Sequence, residues 1–156
     1  MKQLLIIPIL LLMVLPGVSA GDTSPAERFH LGYYSRGSYN PVTITFSVDK
    51  AGHCEYHSKD RSTGASEKFS ARLSRNELVT LKSKLLNEYK FFSLPDYQKP
   101  GHRIMDASTS YLTVTISDKT RRIGGYAVDT IGPHESVFSY IQAMIHTLRE
   151  KHAGGQ

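Results

Sequence analysis

The stretch Val42-Thr43-Ile44-Thr45-Phe46-Ser47-Val48-Asp49-Lys50-Ala51-Gly52-His53-Cys54-Glu55-Tyr56-His57-Ser58 carries the strongest pattern in the chain. Val42, Ile44, Phe46 and Val48 alternate with Thr43, Thr45, Ser47 and Asp49, which is the period of a half-buried β-strand. Lys50-Ala51-Gly52 reads as a three-residue hairpin loop, with Gly52 supplying the positive φ of a bulge. That loop sets Asp49 against His53, Val48 against Cys54, Phe46 against Tyr56 and Ile44 against Ser58. The apolar sides of the two strands coincide, so the register is self-consistent and Cys54 faces the core.

Upstream, Phe29, Leu31 and Tyr33 alternate with His30, Gly32 and Tyr34, which predicts a first strand. Ser35-Arg36-Gly37-Ser38 and Asn40-Pro41 mark a turn. Downstream, Lys59 to Ser66 is polar and reads as a loop, and Phe69, Ala71 and Leu73 alternate as a short strand. Ser74-Arg75-Asn76-Glu77 then forms a capping box, in which the serine hydroxyl accepts from the Glu77 amide and the Glu77 carboxylate accepts from the Ser74 amide. Leu78, Leu81, Leu85 and Tyr89, with Leu86 beside them, predict a helix over 75–89. Phe91, Phe92 and Leu94 pack against the sheet as the chain leaves it.

Pro95 to Ser108 is a long aperiodic loop. Tyr111 to Ser117 is a strand with Leu112, Val114 and Ile116 inward. A two-residue turn at Asp118-Lys119 would pair Val114 with Ile123, Thr113 with Gly124 and Tyr111 with Tyr126. Ile131 closes the strand region. Gly132-Pro133 opens a helix with proline at its first position, buried along Val137, Ile141, Met144, Ile145 and Leu148. Each half is therefore a hairpin followed by a helix. The fold class expected is α+β, a two-layer sandwich of a mostly antiparallel sheet with two helices on one face. A single domain spans 29–151, between a loose tail at 21–28 and a frayed one at 152–156.

The chain resembles small exported bacterial domains of uncharacterised function. The matching residues are Tyr34-Ser35-Arg36-Gly37, the Gly52 turn leading to Tyr56, Ser74-Arg75-Asn76-Glu77-Leu78, Phe91-Phe92-Ser93-Leu94-Pro95 and Asp106. They span about Phe29 to Leu148. Asn40-Pro41 stands where such domains often carry a Cys-Pro pair. The resemblance implies this fold and an exported setting, and no activity.

Residues 1–20 support the same setting. Lys2, the apolar run Leu4 to Leu15 and the small residues of Val18-Ser19-Ala20 have the layout of a secretory signal peptide. The run falls short of the ~20 apolar residues that a membrane span needs, so no stable membrane anchor is expected. The expected product is periplasmic or extracellular after cleavage near Ala20. The whole chain of 156 residues carries 19 Lys and Arg against 14 Asp and Glu. No basic stripe stands out along the sequence, so nucleic acid is not an expected partner. The single cysteine excludes an intramolecular disulfide and a cysteine-only zinc site.

His53, Cys54 and His57 invite a metal or a nucleophile. On a strand, however, Cys54 faces away from both histidines, and His53 and His57 lie about 13 Å apart at strand rise. No metal and no cofactor are expected. The loop residues Tyr97, His102, Arg103 and Asp106 are a second candidate, with His102 and Asp106 as a proton-transfer pair. Ser108 and Ser110 read as ordinary strand-entry residues. The third candidate is the outward sheet face, carrying Thr43, Thr45, Ser47, Glu55, His57, Tyr111, Thr113, Thr115, Arg122 and Tyr126. Tyr and Arg are the residues that anchor protein interfaces, and Gly124 and Gly125 would let a partner approach closely. Tyr33, Tyr34 and Tyr39 with Arg36 are a further set suited to glycan or peptide. The expected function is an exported small binding module, of the inhibitor or immunity type, acting on an extracytoplasmic protein partner. The alternatives are a small hydrolase using His102 and Asp106, and a structural envelope protein.

Overall fold

Alternating residues form strands at Phe29–Gly37 (β1), Val42–Asp49 (β2), His53–Asp60 (β3), Ser66–Arg72 (β4), Ser108–Ile116 (β5) and Lys119–Tyr126 (β6). The 3.6-residue stripes form helices at Arg75–Ser83 (α1) and Glu135–Gly154 (α2). The computed structural model describes residues 28–38, 41–130 and 132–154. The expected leader at 1–20, most of the expected tail at 21–28, and Tyr39, Asn40, Ile131, Gly155 and Gln156 lie outside the described residues. The strands make one antiparallel sheet in the order β4-β3-β2-β1-β5-β6, and both helices pack on one face of it. The architecture is α+β in two layers.

The central hairpin has the expected register, with Val48 opposite Cys54, Phe46 opposite Tyr56 and Ile44 opposite Ser58. Gly52 takes φ +78°. The Asp49 carboxylate braces the loop by accepting from the amides of Ala51 at 2.8 Å and His53 at 2.9 Å. Those bonds, the His53 amide first, hold its carboxyl below the usual range.

Two expected boundaries move. β1 runs on through the supposed turn to Gly37, because Ser35 and Arg36 find partners on both sides, in β2 and β5. The loop after β3 shrinks to 61–65, capped by the Asp60 carboxylate on the Ser62 amide at 2.8 Å.

The β5–β6 register also differs from expectation. Ser117 and Asp118 form the turn, with Ser117 at φ +57° and its amide donating to the Arg28 carbonyl at 2.8 Å. Ile116 therefore faces Lys119, Leu112 faces Ile123, Tyr111 faces Gly124 and Thr109 faces Tyr126. The expected Tyr111–Tyr126 pair does not form. A slip of two residues keeps every side chain on its expected face.

Ser74 and Glu77 make the capping box, at 3.2 Å and 2.8 Å. α1 ends in a π-turn, Lys84–Glu88, closed by the Tyr89 amide on the Lys84 carbonyl. Leu81 and Leu85 are buried, whereas Leu86 points to solvent at 42% exposure. α2 begins at Glu135, so Pro133 lies in the preceding turn. Val137, Phe138, Ile141, Ile145 and Leu148 form its buried stripe, with Met144 partly buried. It continues to Gly154, past the position where the tail was expected to fray, and the His152 ring stacks on Phe69 at 5.1 Å.

Candidate functional site

The inner face of the sheet is the core, and Leu31, Val48, Cys54, Leu112 and Val114 are wholly buried there. Among the described residues, no helix lies over the opposite face. Thr43, Thr45, Ser47, Glu55, His57, Thr113 and Thr115 all lie on it and none is buried. Thr115 and Thr120 join across β5 and β6 through their hydroxyls at 2.9 Å.

Toward the β6 edge of this face, Tyr34 and Tyr111 from paired strands sit 6.3 Å apart, and the Arg122 guanidinium lies 4.2 Å from the Tyr111 ring. The ring is set in place by Gly124. A Cβ there would overlap the Ser110 carbonyl oxygen and lie 2.6 Å from the Tyr111 Cα and 2.9 Å from its Cδ1, and the φ is +145°. The space at Gly125 is likewise taken by the Tyr97 ring, 2.5 Å from where a Cβ would be. Both glycines thus serve contacts within the chain, where the sequence suggested room for a partner.

The face is also basic. Arg36, Lys59, Lys68, Arg72 and Arg122 project from it, against Asp49 and Glu55. A depression of about 390 Å³ lies between Tyr34, Tyr111, Arg36 and Arg61.

Tyr126 belongs to the loop more than to this face. Its hydroxyl donates to the Ile104 carbonyl and accepts from the Ile104 amide at 3.0 Å, and the Lys99 ammonium lies 5.9 Å from its ring. Tyr97 donates to the Tyr126 carbonyl and meets the buried His134 ring edge-on. His134 in turn bonds the Pro95 carbonyl at 2.8 Å. The loop clasps the end of β6 from both faces.

His102, Arg103 and Asp106 are exposed on this loop. No hydrogen bond or ion pair joins His102 to Asp106, and Asp106 takes a left-handed φ of +59°. Cys54 is wholly buried, its thiol donating to the Gly52 carbonyl at 3.5 Å. Desolvation pushes that thiol up to about 11.

The sequence reading missed a polar cluster on the inner side. Oδ2 of Asp129 accepts from Ser108 at 2.7 Å, Ser110 at 3.1 Å and Gln142 at 3.0 Å. The Ser110 hydroxyl in turn accepts from Ser35 at 3.0 Å, and Gln142 donates to the Tyr33 hydroxyl at 3.1 Å. The signal was present: Ser35 and Ser110 both occupy inward positions of their alternations, directly opposite one another.

No family model matches the chain, and no curated protein matches it significantly.

Proposed function

We propose that the protein is a binding module whose outward sheet face docks an acidic surface of a protein partner. The observation that carries this reading is the Arg122–Tyr111–Tyr34 group on the β1–β5–β6 part of the basic face opposite both helices. Tyr and Arg are enriched where interfaces concentrate their binding energy. Six strands of about eight residues present on the order of 600 Å² of plane at standard strand spacing and rise. A standard interface buries about 800 Å² per partner, so the face supplies most of one. Excess positive charge favours an acidic partner and speeds its encounter. Glu55 and Asp49 interrupt the positive field, which suits a protein surface better than a polyanionic strand. The leader-like residues 1–20 support action outside the cytoplasm, in the manner of an inhibitor or immunity protein.

The test is affinity capture from the extracytoplasmic fraction with three baits: the wild-type chain, Tyr111→Ala and Arg122→Glu. The reading expects an acidic protein retained by the wild type and lost from both variants. Capture that both variants leave unchanged, or capture of RNA alone, contradicts it.

A further inference from the structure

α2 does not lie flush on the sheet along its whole length. Between the helix and the inner side of β1–β4 opens a cleft of about 640 Å³. That volume falls within the range of about 300–1,000 Å³ typical of small-molecule sites. Tyr33, Ile44 and Tyr56 give it an apolar wall, while Ser35, Ser58 and Gln142 line it with polar groups. It is remote from the docking face, on the other side of the sheet.

Asp129 lines this cleft. One of its carboxylate oxygens is saturated by Ser108, Ser110 and Gln142. The other, Oδ1, is buried and accepts nothing among the described residues. A carboxylate removed from water without a full set of donors is costly. The donors that reach Asp129 are the neutral side chains of Ser108, Ser110 and Gln142. Arg149, which also lines the cleft, is turned to Glu67 with contacts of 2.7–2.9 Å, and His146 is turned to Glu150. Asp60 and Asp106 add further negative charge to the lining. A positively charged chain has therefore built a cavity of the opposite sign, with a carboxylate oxygen lacking a donor.

We propose that the cleft is a binding site for a small organic amine. Its ammonium group supplies the countercharge to the Asp60, Asp106 and Asp129 carboxylates of the lining, and its apolar body lies along Tyr33, Ile44 and Tyr56. Both parts are required. The carboxylates select the cation, and the apolar wall excludes ions that have no hydrocarbon body.

The experiment is a titration of the full chain followed by amide NMR at millimolar ligand, with phenethylamine as probe and 3-phenylpropionate and 2-phenylethanol as controls. Phenethylamine is expected to shift the Ser35 and Ser58 amides and the Gln142 side-chain amide saturably, and to bind at least about tenfold more tightly than either control, the ratio that one charge-assisted hydrogen bond supplies. Asp129→Asn should reduce that preference for the amine. Ser58→Trp, which fills the cleft and leaves the Asp129 cluster in place, should abolish the shifts and keeps the proposal testable if Asp129→Asn does not fold. Unmoved resonances in the wild type, or equal binding of amine and carboxylate, overturns the proposal. The docking reading stands or falls separately, since neither variant touches the outward face.

Discussion

Arg122 on β6 holds its guanidinium 4.2 Å from the centroid of the Tyr111 ring on β5, on the side of the sheet opposite α1 and α2. An exposed cation–π pair of this kind contributes about 0.5–1 kcal/mol. Arg122→Ala should therefore cost less than about 1 kcal/mol of folding stability in urea denaturation, while weakening partner binding by the roughly 2 kcal/mol of an interface anchor. A large loss of stability with unchanged binding would make the pair a fold element instead.

Gly124 underlies that arrangement. Gly124→Ala places a methyl group against the backbone of Ser110 and Tyr111 at a φ of +145°. The expected cost is about 1–3 kcal/mol, the range for overpacking and for strained backbone. Thermal unfolding of the variant beside wild type measures it.

Tyr126 anchors the long loop through both backbone groups of Ile104. Tyr126→Phe removes both bonds and should cost about 1–3 kcal/mol, at about 0.5–1.5 kcal/mol per bond. Hydrogen exchange should report the loss locally, with the Ile104 amide exchanging much faster and the β2–β3 amides unchanged.

Glu77 ties the start of α1 to Ser74, and the bonds from the Ser74 amide and hydroxyl hold its carboxyl below its ordinary 4.5. A carboxyl whose value is lowered on folding stabilises the fold above its unfolded-state value and loses that contribution as pH falls through the lowered one. The stability gap between wild type and Glu77→Ala should thus be full at neutral pH and close progressively below pH 4.5. A gap that is constant across this range would show that the carboxylate plays no part in the cap.

Most of the layering was legible because β-alternation and the capping box are local signals. The Val42–Ser58 hairpin carries its own register in its apolar pattern and its glycine, and the structure agrees pair for pair. The β5–β6 turn was not legible, because either two-residue choice puts the same side chains inward. Only the left-handed Ser117 and its bond to Arg28 select the observed one. Tyr111 and Arg122 could be placed on the outward face by parity alone. The anchoring of Tyr126 by Ile104 could not, since it depends on the path of an aperiodic loop. The Asp129 cluster assembles residues from β1, β5, α2 and the segment before α2, and no single stretch of sequence announces it.

The most direct test of the outward docking face is site-specific photocrosslinking in living cells. A photoreactive residue replaces Thr113, on the outward face, or Thr80, exposed on α1. Adducts to an acidic protein from position 113 and none from position 80 are the expected result. Protein adducts from position 80 with none from 113 would put the contact surface on the helical layer and contradict the account.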